Sequence, residues 1–314
     1  MHPPTVVCPP RRVRRAPCVA LAAAAFGVAA FAVRERHLDH RLRAGAAALQ
    51  AHGAIVNVIT DHPDAVRAMA ARLGLREPSW LGRRTVCVQF PPGGATAEDA
   101  RVAAGLPNLC AFDCFGSEFV GDDALAELAS ATGLTAVRVN DTRVTDAGVH
   151  HLMSLPRLKG VAVKGTLVGD AGLRLLRGKP RLDWIEAGGP NIRNVRIEGY
   201  DLRGPGGPDN VRLGDVLTVT GRLVVAEPDL PTPKLSVDVQ NVREAYHWAA
   251  SISGNASLTR VSDGVYDFTV TTLGAGRDPG RHAVRVYVEF ATTPQLTYAF
   301  PQAAIDIAVK KGSP

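Results

Sequence analysis

The sequence predicts an α/β repeat region followed by an all-β sandwich, with an apolar helix at the N-terminus. Matching apolar residues recur every 24 positions in the middle of the chain, which is typical of stacked supersecondary units. Apolar and polar residues then alternate with a period of two, as in half-buried strands. The run Ala16 to Val33 is uncharged over 18 residues, about the minimum for a membrane-spanning helix. The predicted segments are a basic tail (1–15), a transmembrane helix or signal anchor (16–33), a juxtamembrane helix with an α/β cap (34–84), the repeats (85–189) and the sandwich (190–314).

The positive charge of the chain is confined to its N-terminal flank. Residues 1–43 contain eight arginines and two acidic residues, a net charge of +6, and the rest of the chain sums to zero. Because a folded nucleic-acid binder carries its basic excess on the folded part, we expect no nucleic-acid partner. The arginines bracket the uncharged run as in a signal-anchor, which predicts a single-pass membrane protein with extracytoplasmic C-terminal domains. A cleaved signal peptide is the alternative, since Ala30-Phe31-Ala32 offers a small-x-small site.

The segment after the anchor predicts a short α/β unit. Apolar residues at helical spacing continue the first helix to about Ala51. The run from Ala54 to Ile59 predicts a buried strand, and the run from Asp64 to Leu75 predicts a second helix. Directly before a repeat array, such a unit is expected to act as a cap.

The repeat region contains two copies that match almost position by position. The first copy starts at Leu134 and the second at Leu158, and an earlier copy starts at Leu109 with one inserted residue. A degraded copy surrounds Val86 and Val88, and a half copy begins at Leu182. The shared pattern is L-x-x-V-x-V-x-x-T-x-V-x-D-x-G-[VL]-x-x-L. It resembles the leucine-rich repeat in the variant with Thr after the strand, as found in bacterial membrane-tethered proteins. The resemblance implies a short solenoid of about four repeats, and it is nearly silent on function.

Each fixed position of the repeat has an expected structural role. Valines at alternate strand positions are expected to bury between repeats, and the leucines of the helix to close the core. We expect Thr142 and Thr166 to bond the turn that leaves the strand. Asp146 and Asp170 precede the predicted helices and are expected to cap them. Gly148 and Gly172 are expected to allow close approach at the helix start.

The variable positions of the predicted concave strand face are the candidate partner-binding residues. Large aromatic side chains beside mixed charges are enriched in protein interfaces. An ordinary solvated surface is the alternative, in which Trp184 simply caps the open end of the array. The candidates are Asp113, Phe115, Arg138, Asn140, Lys164, Trp184 and Glu186.

From the break at Gly188-Gly189-Pro190, seven or eight short alternating strands predict a β-sandwich. The stretch from Asp263 to Phe268, together with the stretch from Gly280 to Val284, resembles bacterial immunoglobulin-like domains. We expect residues 190–314 to form a domain of their own.

The cysteines predict no disulfide framework. Cys110 and Cys114, if they share a strand, stand ~13 Å apart at ~3.3 Å per residue, beyond the ~7 Å that a disulfide spans. We expect Cys87, Cys110 and Cys114 to be buried structural residues. No His cluster accompanies them, so we expect no metal and no cofactor.

No phosphate-binding loop, His-Glu-x-x-His pair or nucleophile elbow is present in the sequence. The predicted function is therefore non-enzymatic: a membrane-tethered module that recognises a protein or surface polymer. A structural envelope component that self-associates through the sandwich, and an accessory subunit of an enzyme complex, are the alternatives.

Overall fold

A computed structural model describes residues 16–62, 64–73, 83–207, 210–212, 214–241, 256–272 and 280–308. The chain divides into two compact units, residues 1–44 and residues 45–314. The described helices are α1 (Ala16–Ala51), α2 (Asp64–Leu73), α3 (Ala97–Ala104), α4 (Asp122–Leu128), α5 (Asp146–Leu152) and α6 (Asp170–Arg177).

The described strands form one mixed sheet and one separate antiparallel sheet. The strands up to the end of the repeats are β1 (Ile55–Asp61), β2 (Arg83–Gln89), β3 (Leu109–Asp113), β4 (Ala136–Arg138), β5 (Gly160–Ala162) and β6 (Trp184–Ala187). Those that follow are β7 (Val195–Arg203), β8 (Val211–Arg212), β9 (Thr218–Val225), β10 (Lys234–Asn241), β11 (Ala256–Ser262), β12 (Val265–Thr271), β13 (Gly280–Phe290) and β14 (Gln295–Ala308).

Helix α1 covers the predicted anchor and ends at Ala51, where the helical spacing predicted its end. The side chains of residues 16–29 and the whole basic tail 1–15 lie outside the described part of the chain. Among the described residues, no helix combines the length and the apolarity needed to cross a membrane.

The predicted α/β unit is present, but its strand is not buried. β1 pairs antiparallel with β2, and Ile55 and Ile59 on β1 are 56% and 58% exposed. The apolar composition of this strand therefore does not reflect burial on both faces. The prediction of a buried strand was wrong because β1 stands at the end of the sheet order.

Alternating strands and helices follow at the interval seen in the sequence. β2 to β6 are parallel neighbours in chain order, and helices α3 to α6 connect them. Each strand contributes one fully or almost fully buried residue to a line that the register sets: Val88, Phe112, Val137, Val161 and Ile185. The equivalent helix residues Leu128, Leu152 and Leu176 are fully buried as well. The repeat spacing thus brings equivalent apolar residues of successive units into contact.

The repeat threonines act as the sequence predicts. Thr142 Oγ1 donates to the Val139 carbonyl at 2.7 Å, and Thr166 Oγ1 donates to the Val163 carbonyl at 2.6 Å. Each hydroxyl thereby satisfies a carbonyl at the turn that leaves its own strand.

The repeat aspartates link neighbouring repeats instead of capping their own helices. Asp122 Oδ1 accepts from Thr145 N at 2.8 Å, and Asp146 Oδ1 accepts from Gly169 N at 2.7 Å. The cap residue of α5 is Thr145, whose hydroxyl accepts from Ala147 N. The capping role expected for Asp146 and Asp170 was therefore wrong, because their carboxylates accept backbone N–H groups of the following segment of the chain.

The repeat glycines make room for these aspartates. A Cβ on Gly148 would lie 2.3 Å from Asp122 Oδ1, and a Cβ on Gly172 would lie 2.4 Å from Asp146 Oδ1. The D-x-G pattern is therefore a contact between repeats, with the glycine of one unit receiving the carboxylate of the unit before it.

The mixed sheet continues from the repeats into the C-terminal region. β14 pairs parallel with β6, through Leu296 beside Ile185, and antiparallel with β13, which in turn pairs with β10. Residues 45–314 accordingly form one compact unit, with no division at Gly189.

The second sheet has the order β11-β12-β9-β7 and is antiparallel throughout. It contacts the mixed sheet where β7 meets β14 and where β10 meets β11 and β12. The Asp263-Gly264 pair joins β11 to β12, and Gly264 adopts a positive φ of 67° as that turn requires. The alternation of Tyr246, Trp248, Ala250 and Ile252 predicts one of the strands, and these residues lie outside the described part of the chain. The alternation did not predict β8 or β11.

Candidate partner-binding surface

The polar side of the parallel strands presents one continuous row of side chains. Register aligns Gln89, Asp113, Arg138, Ala162 and Glu186 across β2 to β6. A second row runs beside it through Cys87, Ala111, Ala136, Gly160 and Trp184. We call these two rows, with the loop residues that directly follow β3 to β5, the strand face. All seven candidate residues belong to it.

Trp184 and Arg138 contact each other across the intervening strand β5. The Arg138 guanidinium carbon lies 5.3 Å from the centroid of the Trp184 ring, within cation–π range. Gly160 makes this possible: a Cβ there would lie 2.0 Å from Trp184 Cε2, so the indole rests on bare backbone. Because β14 pairs beyond β6, Trp184 does not stand at an open end of the sheet. Its ring leans over the repeats and remains half-buried.

Lys164 and Glu186 form an ion pair that is largely withdrawn from water. Nζ of Lys164 donates to Glu186 Oε1 at 3.1 Å, and the two side chains are 11% and 24% exposed. Removing either partner would leave the other charge partly desolvated and unpaired. The pair therefore fixes the arrangement of this part of the strand face.

Asn140 is placed differently from a contact residue. Only 9% of its surface is exposed, and its Oδ1 accepts from the Lys164 backbone N–H at 2.8 Å. This hydrogen bond joins the loop after β4 to the loop after β5, and so it fixes the backbone that carries the strand face. Phe115, two residues beyond the end of β3, is half-buried.

The carboxylates of the strand face are held in a poorly solvated setting. Burial raises the pKa of Asp113, Arg138 opposes this shift, and Glu186 adds to it. Asp141 is exposed as a residue, yet its carboxylate lies over Gly165, where a Cβ would be 1.9 Å from Oδ1. Desolvation there raises the pKa of Asp141, and Lys164 and Arg285 oppose the shift.

Asp141 belongs to the strand face although the sequence analysis did not select it, and Arg285 lies close enough to Asp141 to oppose its pKa shift. Asp141 occupies a left-handed position (φ 54°) that is glycine in the neighbouring repeats, at Gly116 and Gly165. A non-glycine residue at such a position was a signal available in the sequence. Arg285 comes from β13, and only the joined sheet brings it near Asp141, so no local pattern could have found it.

An open cleft of about 640 Å³ lies elsewhere, between α6 and the loops around Glu227 and Thr293. The Arg177–Glu227 ion pair lies in its wall. Among the residues that the structure describes, no three potential metal-ligand side chains converge.

The arrangement on the strand face is suited to recognition: an ordered indole, paired charges and partly desolvated carboxylates on a rigid sheet. No protein-family model matches the chain, and no curated protein is significantly similar to it.

Proposed function

We propose that the chain is a membrane-tethered, non-enzymatic recognition protein that binds a protein or surface polymer through the strand face. In this proposal the β-α units form a short leucine-rich-repeat solenoid, and the two C-terminal sheet portions form an immunoglobulin-like sandwich. Residues 16–33 hold the protein in a membrane, with the C-terminal unit on the extracytoplasmic side.

One observation carries the binding proposal: the half-exposed Trp184 ring, positioned by Gly160 and stacked with Arg138. Trp and Arg are the residues most enriched among energetic anchors of protein interfaces. A rigidly held indole loses little conformational entropy when a partner covers it. The mixed charges around it supply specificity, since a wrong partner would leave them unpaired.

Affinity capture of the full chain from a detergent extract tests the binding proposal. Trp184→Ala should lower the amount of captured partner about tenfold or more, the scale of an interface anchor. Tyr200→Ala removes an aromatic side chain that is 43% exposed on the separate sheet; it is the control and should capture as much as the wild type. Equal capture by both variants would rule out the strand face as the binding site.

Washing membranes at high salt and in carbonate tests the anchor. The full chain should stay in the pellet, whereas residues 45–314 alone should be recovered in the supernatant. Release of the intact full chain by salt would show that residues 16–33 do not hold it in the membrane.

Self-association is the second candidate function, and one observation favours it. β1 ends the strand order of the mixed sheet, and its exposed Ile55 and Ile59 stand on one side of the strand. An exposed apolar edge strand can pair with a second chain. Light scattering distinguishes the two functions, because self-association predicts a dimer or larger species that Ile59→Lys converts to a monomer. If affinity capture instead returns an enzyme in fixed ratio, the accessory-subunit alternative is correct.

A further inference from the structure

Two cysteines from adjacent strands face each other at the beginning of the strand face. Cys87 lies on β2 and Cys110 on β3. The register pairs Val86 with Leu109 and Cys87 with Ala111, so Cys110 is the extra residue between these two pairs. Their Sγ atoms are 3.3 Å apart, with one thiol donating to the other sulfur. The expectation that Cys87 and Cys110 are buried was wrong, since both are only half-buried, and neither forms a disulfide in the structure.

The third cysteine of this region, Cys114, differs from the pair in its burial and in its hydrogen-bond partner. Cys114 is fully buried, and its Sγ donates to the Arg138 carbonyl at 3.8 Å. It therefore serves as a matched control for the pair.

We propose that Cys87 and Cys110 are a redox site that closes to a reversible intramolecular disulfide by exchange with a small-molecule disulfide such as oxidised glutathione. Neighbouring strands lie about 4.8 Å apart, and a disulfide joins Cα atoms that are about 4.4–6.8 Å apart. From their separation of 3.3 Å, the sulfurs need to approach by only about 1.3 Å to reach the bond length of ~2.05 Å. Small side-chain rotations suffice for such a movement, so the sheet can stay as it is.

The exchange takes two balanced steps. The Cys87 thiolate attacks one sulfur of the oxidant, which breaks the S–S bond, releases one thiolate and leaves a mixed disulfide on Cys87. Cys110 then loses its proton to solvent and attacks the Cys87 sulfur, forming the Sγ–Sγ bond and releasing the second thiolate. The two cysteines are oxidised and the small disulfide is reduced to two thiols.

The surroundings of Cys110 favour this order of attack. Burial raises the pKa of Cys110 to about 12, and the neighbouring Cys87 adds to the shift. Cys110 is thus a poor first nucleophile near neutral pH, but after the first step it stands beside its target. The reaction should therefore accelerate as the pH rises.

Disulfide formation would join strands that are 23 residues apart in the chain. It would fasten the paired strands β1 and β2 to the repeat that begins with β3, next to the row that ends at Trp184. Such a bond suits an extracytoplasmic protein, since oxidising compartments are where disulfides persist. The inference does not depend on the identity of any partner.

The test uses the reduced full chain, treated with oxidised glutathione at pH 8, alkylated and mapped by mass spectrometry. A peptide that links Cys87 to Cys110 should appear, with a melting temperature higher by about 5–10 °C. Both changes should reverse with dithiothreitol. Cys114→Ser should behave like the wild type, whereas Cys110→Ser should stop at a glutathione adduct on Cys87 and gain no stability.

Circular dichroism of Cys110→Ser confirms beforehand that the variant is folded, and Cys110→Ala replaces it if it is not. The inference is overturned if the wild type yields only glutathione adducts. It is equally overturned if the linked peptides contain Cys8, Cys18 or Cys114 in place of the proposed pair.

Discussion

At the scale of single residues, the aspartate position of the repeat serves both as the start of a helix and as a contact with the following segment. Asp122, Asp146 and Asp170 each begin a helix, and each accepts a backbone N–H from the following segment of the chain. The sequence placed them correctly at helix starts. It could not reveal that their oxygens reach the next unit. These contacts join residues 23 or 24 positions apart, which is the period of the repeat, so they leave no separate signal in the sequence.

Asp146→Ala should destabilise the protein by about 1.5–3 kcal/mol, the usual contribution of a hydrogen bond to a charged group. The substitution leaves Gly169 N without its acceptor. Asp123→Ala is the control, since Asp123 Oδ1 accepts only from the adjacent Ala124 N at 2.9 Å among its described bonds. Urea unfolding measures both variants, and equal losses for the two would contradict the link between repeats.

The raised pKa of Asp113 predicts how the stability of the fold changes with pH. Burial raises its pKa, so the folded protein disfavours the carboxylate more than the unfolded chain does. Its contribution to stability is present at acidic pH and is lost as the pH rises through the folded pKa. Asp113→Asn should therefore raise the melting temperature at pH 7, and the difference should shrink towards pH 3. Differential scanning fluorimetry across this range measures it, and a variant that is less stable at pH 7 would contradict the reasoning.

At the scale of elements, the small residues of β5 leave room for the large side chains of the neighbouring strands. Gly160 and Ala162 lie between Arg138 on β4 and the Trp184–Glu186 segment of β6. The large side chains of both neighbours lean over them. A repeat pattern specifies only the buried positions, so it identifies Trp184 as variable without indicating which way its ring turns.

Gly160→Ala should displace the Trp184 ring, because the new Cβ would overlap the indole. We expect a loss of about 1–3 kcal/mol, as for overpacking of a filled site, and a red shift of the Trp184 fluorescence. The measurement needs a background in which Trp80 and Trp248 are replaced by Phe. Gly178→Ala at the end of α6 is the control, since its Cβ would meet nothing nearer than 3.5 Å. An unchanged spectrum in Gly160→Ala would mean that the indole does not rest on β5.

At the scale of the whole molecule, the main departure from the sequence-based expectation is the joined sheet. The alternation of residues 190–314 predicted most of the strands that the structure describes there, because period and turn residues are local signals. It could not predict that β14 adds to β6, since this pairing joins residues about 110 positions apart through backbone bonds that any sequence can make. The end of the repeats is thus covered by the C-terminal region, which also places Arg285 near Asp141 of the strand face.

This pairing changes the prediction for the isolated C-terminal region. Leu296 and Tyr298, fully or almost fully buried in the whole chain, lie on the strand that pairs with β6. A fragment of residues 190–314 would expose that edge of β14 and lose the Arg177–Glu227 ion pair. An open apolar edge both weakens a fold and promotes aggregation.

Residues 45–314 should therefore unfold in one cooperative transition, whereas residues 190–314 should melt at a clearly lower temperature or aggregate. Calorimetry of both fragments at equal concentration decides between the two. The reciprocal fragment, residues 45–189, serves as the control, because it loses the same pairing and should be weakened as well. If residues 190–314 melt cooperatively at the temperature of the longer chain, the two regions are energetically independent. The parallel pairing of β6 with β14 would then contribute nothing to the stability of either.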